Sequence, residues 1–301
     1  MVVRRLLPLL LLVLLTACQK ELDQIGGGEV RLSYTLPDDD GFPASIDTMR
    51  WLLYDGSGDL VRELHLAPRQ QQFFTVAQLP EGTYTVVNVS NAKGRTAFCD
   101  KETLDGLSLA ADTQTPEGWY ENTDHLFWQM KTFSLEDGHQ TADLPLVDVH
   151  CHLHVHVGWK GLPRQQGSDW TMRLYGVPLR LWGGRQGLTL SSGLHPQTDD
   201  TATGEHRIQV RMLNYELEGV FTTFRWTDAC VPALQIWCGE EPASPLMRLA
   251  TAFNEWHWSP DHTVAQDYWL DVMINPDGTA DVKASSRFGV VDWIDGGTII
   301  G

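Results

Sequence analysis

Positive charge is scarce in this chain. Lys and Arg number 22 against 39 Asp and Glu, giving a net charge of -17 at pH 7. That balance repels a phosphate backbone and excludes the nucleic-acid binders that work through a basic face. Cysteine is sparse as well, five residues in 301. The spacing of Cys99, Cys151, Cys230 and Cys238 matches neither a zinc ribbon nor a thioredoxin-type C-x-x-C. The chain has no Gly-x-Ser-x-Gly elbow, no His-Glu-x-x-His helix and no phosphate loop. Carboxylates are plentiful, but no pair is singled out as a glycosidase couple would be. These absences point away from an enzyme. No sustained 3.6-residue period occurs, which leaves little room for large helices. After residue 17 no apolar run approaches the ~20 residues of a membrane-spanning helix.

What is present begins at the first residues. Arg4 and Arg5 precede an apolar run from Leu6 to Leu15, broken only by Pro8, and then Leu15-Thr16-Ala17-Cys18. A basic start, a short apolar core and small residues before a cut site describe a secretory leader, here residues 1–17. The four residues resemble a bacterial lipobox. That resemblance implies a covalent lipid, palmitate included, on Cys18, which becomes the new N-terminus. Loss of Arg4 and Arg5 with the leader leaves the remainder two charges more negative. A lipid supplies membrane affinity without any basic patch, although one acyl chain alone binds only marginally. Residues 18–28 then form a tether. Lys20, Glu21 and Asp23 follow Cys18, and Gly26, Gly27 and Gly28 make a flexible spacer.

Beyond the tether the pattern is that of strands. Val30, Leu32, Tyr34 and Leu36 alternate with Arg31, Ser33 and Thr35, a period of two. Asp38 to Asp40 lack the spacing of a calcium loop and read as a solvated turn. Further strands are expected over 47–55, 60–64, 72–78, 83–90 and 126–135, with Asp55-Gly56-Ser57-Gly58 as a hairpin turn. Residues 103–111 could hold a short helix, and 112–124 read as a polar loop. Later strands are expected over 170–177, 207–213, 221–226 and 264–274. Asn275-Pro276-Asp277-Gly278 turns the last of these into 279–283, and Val290 to Ile294 reads as a closing strand. Short strands and tight turns at this spacing predict an all-β chain of two β-sandwich domains, 29–145 and 146–301.

The clearest alternation lies at 147–159. Val147, Val149, Cys151, Leu153, Val155, Val157 and Trp159 share one face, while Asp148, His150, His152, His154 and His156 share the other. Imidazoles at i and i+2 on a strand project the same way, ~6.6–6.8 Å apart at Cα. That arrangement can begin a zinc or copper site on His150, His152, His154 and His156, with His206 or Asp148 as a further ligand. The alternative is a polar, solvent-facing strand side. Export permits disulfides, and Cys230 and Cys238 are a candidate pair for stapling one loop. Twelve tryptophans raise a third possibility, carbohydrate binding through Trp256 and Trp258, set against ordinary core packing.

Several of these features occur together in one family. The order is lipobox, acidic tether, the strand at Leu32–Leu36, the strand at Met49–Tyr54 with Asp55-Gly56, then Leu79-Pro80-Glu81-Gly82-Thr83-Tyr84-Thr85-Val86-Val87 with Asn88 and Asn91 after it. This resembles the fimbrial anchor and accessory lipoproteins of Bacteroides-type bacteria. The segment around Leu179 and Trp182 and the closing Val291-Asp292-Trp293 are compatible with it. The four-histidine strand is not part of that pattern. The resemblance implies two tandem transthyretin-like, Greek-key sandwiches and no enzymatic activity or cofactor beyond the lipid. It also implies a place on the outer face of the outer membrane, and fimbrial subunits as partners, joined by strand exchange. In such exchange a donated strand fills a sheet edge. An Arg-directed cut frees a strand in the family's fibre subunits, and Arg31 stands in a comparable place. Binding of a glycan or other ligand by an outer-membrane lipoprotein is the alternative function.

Overall fold

Alternation begins where the glycine spacer ends, and so does the regular structure. The computed structural model describes residues 28–35, 46–66, 73–112, 116, 118–136, 139–164, 167, 169–253 and 258–284. The leader, Cys18, Asp38 to Asp40, Trp256 and the closing strand at 290–294 lie outside the described residues. The first strand, β1 (Gly28–Thr35), buries Val30, Leu32 and Tyr34 and turns Arg31 to solvent. It lies between two partners in a three-stranded sheet. β4 (Phe73–Leu79) runs antiparallel on one side and β9 (His139–Pro145) parallel on the other.

The next sheet is covered on both faces. Its order is β10 (Val147–Asp148), β8 (Phe127–Leu135), β5 (Gly82–Ser90), β2 (Met49–Tyr54) and β3 (Leu60–Leu66). Met49, Trp51, Leu53, Tyr84 and Val86 face the β1 sheet in one core. Leu52, Tyr54, Val87, Val89 and Trp128 face the other way into a second core with Leu107, Leu109 and Leu181. These last three belong to or adjoin a four-stranded sheet ordered β14 (Gly193–Thr198), β13 (Arg180–Leu190), β7 (Ser108–Ala111) and β6 (Thr96–Cys99). The hairpin β13–β14 comes from well beyond residue 145, yet it covers this N-terminal sheet. The Trp128 indole N–H donates to the Gly183 carbonyl at 3.0 Å. The short helix expected over 103–111 is replaced by a tight turn at Thr103 to Gly106 and by β7. Its three leucines fit neither period well, and β7 finds partners on both edges in β6 and β13.

The remaining strands form a two-layer sandwich. One sheet runs β16 (Met212–Leu213), β17 (Glu216–Phe224), β11 (His150–Trp159), β21 (Gln266–Ile274), β22 (Ala280–Ala284). The other runs β15 (Thr203–Val210), β12 (Trp170–Pro178), β18 (Ala233–Cys238), β19 (Glu241–Pro242), with β20 (Met247–Arg248) also on β18. Cys151, Leu153, Val155 and Val157 from β11 meet Trp170, Met172, Leu174 and Ile236 from the opposite sheet. Among the described residues, a five-residue α-helix, α1 (Leu249–Phe253), packs at the edge of this core. The expected all-β sandwich architecture is what the chain adopts.

One expectation is corrected here. Cys99, Cys151, Cys230 and Cys238 are all free thiols. Cys230 precedes β18 and Cys238 ends it. The six residues of that extended strand alone span roughly 17 Å at ~3.3 Å per residue, while a disulfide needs Cα atoms ~4.4–6.8 Å apart. Eight positions read as a closable loop in sequence, but most of them are spent in a straight strand. Burial pushes the Cys151 and Cys230 thiols up, away from the reactive thiolate form.

Candidate functional site

The polar loop expected over 112–124 is the part of the molecule that ties its sheets together. From its described residues 118–124 through Leu126 the chain runs as a strap between the N-terminal layers and the C-terminal sandwich, with one isolated β-bridge from Tyr120 to His206. Two backbone bonds of Tyr120 join it to the β15 edge. The Tyr120 N–H donates to the Glu205 carbonyl at 2.8 Å, and the Arg207 N–H donates back to the Tyr120 carbonyl at 2.8 Å. Next, the strap fills the edge of β17. The Asn122 amide donates to the Val220 carbonyl at 2.9 Å and accepts from the Thr222 N–H at 3.0 Å. The Thr123 N–H donates to the Thr222 carbonyl at 3.0 Å. Asp124 then turns the other way. Its buried carboxylate accepts from the backbone N–H groups of Lys93, Gly94 and Arg95 at 2.8, 3.1 and 2.9 Å. A short run of Asn, Thr and Asp does this because each side chain mimics a backbone donor or acceptor.

The histidines gather where the strap meets the switch from β10 to β11. Asp148 sits at the end of β10, half-buried, and collects three imidazoles. His125 Nε2 lies 2.8 Å from Oδ2, His150 Nδ1 3.4 Å from Oδ1, and His152 Nε2 3.8 Å from Oδ2. The His150 backbone N–H also donates to Oδ1 at 2.9 Å. His125 is exposed and its ring stands edge-on to His152, centroids 5.0 Å apart. His150 is 2 % exposed, and its Nδ1 accepts from the Leu126 N–H at 3.1 Å. That bond places the ring proton on Nε2 in the neutral form. Burial raises the Asp148 carboxyl, but the His125 hydrogen bond and the other imidazoles beside it outweigh that and hold the group well below the usual carboxylate range. The Asp148 hydrogen bond raises His125, whereas burial lowers His150. The carboxylate thus favours the protonated form of His125, while burial favours the neutral form of His150.

The four-histidine face does not act as one unit. His154 Nε2 pairs with Asp267 Oδ1 at 2.8 Å, and its ring stacks on Trp269 at 3.6 Å with planes 7° apart. His156 meets Asp271 at 3.2 Å and Glu216 at 3.5 Å. Both carboxylates of β21 face these rings because β11 and β21 are parallel and in register, His154 opposite Trp269 and His156 opposite Asp271. Asp148, named from the sequence as a further ligand, is the group around which His150 and His152 collect. His206 is elsewhere. It is buried on β15, its Nδ1–H donating to the Glu121 carbonyl at 2.8 Å. Among the described residues, the metal-capable grouping is His125, Asp148 and His150, one ligand atom of each lying within 4.8 Å of the others. Sequence reasoning missed His125 because it lies in a loop 25 residues before His150, with no periodicity to mark it. A faint signal existed in Asp124-His125 and Asp148-x-His150, two acid–imidazole pairs at the ends of apolar strands.

Trp258 is half-buried and stacks on Phe253 at 5.3 Å, with Trp226 and Tyr268 edge-on at 6.1 and 6.3 Å. Its ring serves the C-terminal core rather than an open platform. Trp51, Trp128, Trp170 and Trp226 are fully buried. No helix among the described residues is long and apolar enough to cross a membrane.

Comparison with known proteins bears on the whole chain. Among curated proteins none matches it. Several solved structures share its fold, and three illustrate the likeness. The fimbrial anchor protein Mfa2 from Porphyromonas gingivalis superposes with a TM-score of 0.60 at 12% identity, over 85% of this chain and 95% of that one. A candidate adhesin from Bacteroides ovatus gives 0.60 at 16% identity, over 88% and 96%. A candidate polysaccharide-binding protein from Bacteroides thetaiotaomicron gives 0.57 at 14% identity, over 86% and 95%. The sequence profile of the fimbrillin-A associated anchor proteins Mfa1 and Mfa2 matches residues 16–180, more than half of the chain. By that match, and in the all-β architecture that the profile's residues build, the chain belongs to the family of fimbrillin-A associated anchor proteins Mfa1 and Mfa2.

Proposed function

We propose that this protein is a non-enzymatic accessory of a fimbria-like fibre, held to the outer face of the outer membrane by lipid on Cys18 and joined to fibre subunits by strand exchange. The observation that carries the reading is the family match together with the distribution of sheet edges. The strap occupies the β15 and β17 edges, as the Tyr120 and Asn122 bonds record. Among the described residues, β3, β4, β9 and β22 each end a sheet with a partner on one side only. An unpaired edge offers a row of N–H and C=O groups to an incoming strand, and alternate side-chain pockets set its register. Arg31 lies mid-strand in β1, opposite Thr75 on one side and Thr141 on the other. A cut there would divide the centre of the three-stranded sheet rather than trim its edge. The ten Cα–Cα steps from Cys18 to Gly28 reach at most ~36 Å when extended, so the lipid holds the body within a few nanometres of the bilayer.

The test is a Cys18→Ala variant expressed in place of the native chain, followed by fractionation and electron microscopy of fibres. The expected result is loss of the chain from the membrane fraction, with fibres shed into the medium or altered in length. Normal retention of both the chain and the fibres would overturn the anchor reading. Binding of this chain to a purified glycan, with fibres unaffected by its deletion, would favour the ligand-binding alternative.

A further inference from the structure

The imidazole cluster at the strap has a donor set that neither fibre attachment nor lipid anchoring uses. We propose that His125, Asp148 and one imidazole of β11, His150 or His152, bind a divalent transition-metal ion of the zinc class, clipping the strap to the start of the C-terminal sandwich.

The geometry supports this in three ways. His125 Nε2 and His152 Nε2 approach the same carboxylate oxygen at 2.8 and 3.8 Å, while His150 approaches the other at 3.4 Å. One atom each of His125, Asp148 and His150 already lies within 4.8 Å of its fellows. Ligands at ~2.1 Å from a tetrahedral ion stand roughly 3.4 Å apart, so side-chain rotation of about an ångström closes the set. Second, one carboxylate stands beside three imidazoles, a mixed nitrogen and oxygen donor set gathered at one point. Third, the ligands come from three elements. His125 is on the strap, Asp148 ends β10 in the N-terminal sheet, and His150 and His152 begin β11 of the C-terminal sandwich.

The chemistry selects the ion. Two imidazoles and one carboxylate suit zinc, nickel and copper, while calcium and magnesium prefer oxygen alone. His154 and His156 provide an internal control. They sit on the same strand but are engaged by Asp267, Asp271 and Glu216. The Leu126 N–H on His150 Nδ1 and the greater openness of His152 make the identity of the third ligand a matter for the experiment.

The test is calorimetric titration of zinc chloride into the untagged full chain near pH 7.5 in a non-coordinating buffer, with thermal unfolding recorded with and without zinc. The expected result is one equivalent bound with micromolar or tighter affinity and a raised Tm. His125→Ala, an exposed position that leaves folding intact, weakens binding at least tenfold. So does either His150→Gln or His152→Gln, which identifies the third ligand. The double variant His154→Gln/His156→Gln binds as the parent does. No stoichiometric binding, or binding unchanged in His125→Ala, overturns the proposal. Loss of binding only in the His154/His156 variant overturns it as well, by moving the site elsewhere.

Discussion

Burial sets the state of the histidines one at a time, and this has a measurable consequence at His206. The ring is fully buried, and burial pushes its pKa down to about 4 even though the Nδ1–H bond to the Glu121 carbonyl acts to raise it. Unfolded, the same group titrates near ~6.5. Between these values the unfolded chain binds the proton that the folded chain refuses. Stability from this group is therefore complete above pH ~6.5 and declines as pH falls toward 4, by about 1.4 kcal/mol per pH unit. His195 carries the same sign. Burial, and then the Arg225 charge, lower it to about 3. Urea unfolding at pH 6 and pH 5 checks this. His206→Gln is expected to lose less stability over that interval than the parent, by about one proton's worth, and comparison of the two subtracts every other titrating group. Equal slopes would mean that His206 is protonated in the folded chain. None of this was visible in sequence, where all 11 histidines look alike and only those on a two-residue period attract notice.

At the scale of elements, what was legible depends on how many faces a strand buries. β1, β11 and β21 each bury one face and alternate cleanly; the extents of β1 and β21 were read to within a residue or two, while the single strand expected over 147–159 is split at Val149 into β10 and β11 of different sheets. β2 and β5 bury both faces and were found by their apolar, β-branched content instead. β13 and β14 were missed because neither signal applies. Trp182-Gly183-Gly184-Arg185-Gln186-Gly187 looks like a loop, and glycine is ordinarily a weak strand former. The reason for glycine is proximity. A Cβ on Gly184 would lie 1.7 Å from the Leu104 carbonyl oxygen, and one on Gly187 2.7 Å from that of Pro196. Backbone, not a movable side chain, occupies the space, so the hairpin packs on the 103–107 turn only without a side chain there. Gly184→Ala is expected to destabilise the chain by at least ~2 kcal/mol in urea unfolding, as overpacking against fixed backbone does. Gly56→Ala, whose Cβ would meet nothing closer than 3.5 Å, is the control and is expected to change little.

On the scale of the whole molecule, two cores in the N-terminal layers and one in the C-terminal sandwich are distinct apolar clusters. Phe224 of β17 and Leu181 of β13 reach into the second N-terminal core, and the rest of the link is polar. Asn122 and Thr123 bond the strap to β17, Tyr120 bonds it to β15, and Asp124 bonds it to the turn at Lys93 to Arg95. Arg225, itself buried, donates its backbone N–H to the Val149 carbonyl at the sheet switch, and its guanidinium donates to the Val264 carbonyl at 2.8 Å and the Pro260 carbonyl at 3.3 Å. Hydrogen bonds across such a junction can make its two sides unfold as one body. Removing a buried bond partner leaves the other unsatisfied at ~1–3 kcal/mol. The parent is therefore expected to unfold in urea as a single transition by both tryptophan fluorescence and far-ultraviolet circular dichroism. The double variant Asn122→Ala/Asp124→Ala removes the strap's hold on both sides. Its two probes are expected to separate, fluorescence and circular dichroism reporting different midpoints, the signature of lost two-state behaviour. Coincident transitions in that variant, merely shifted to lower urea, would show that the halves are coupled through the β10–β11 switch and the Arg225 bonds instead. The strap would then be a cover for strand edges and not the joint.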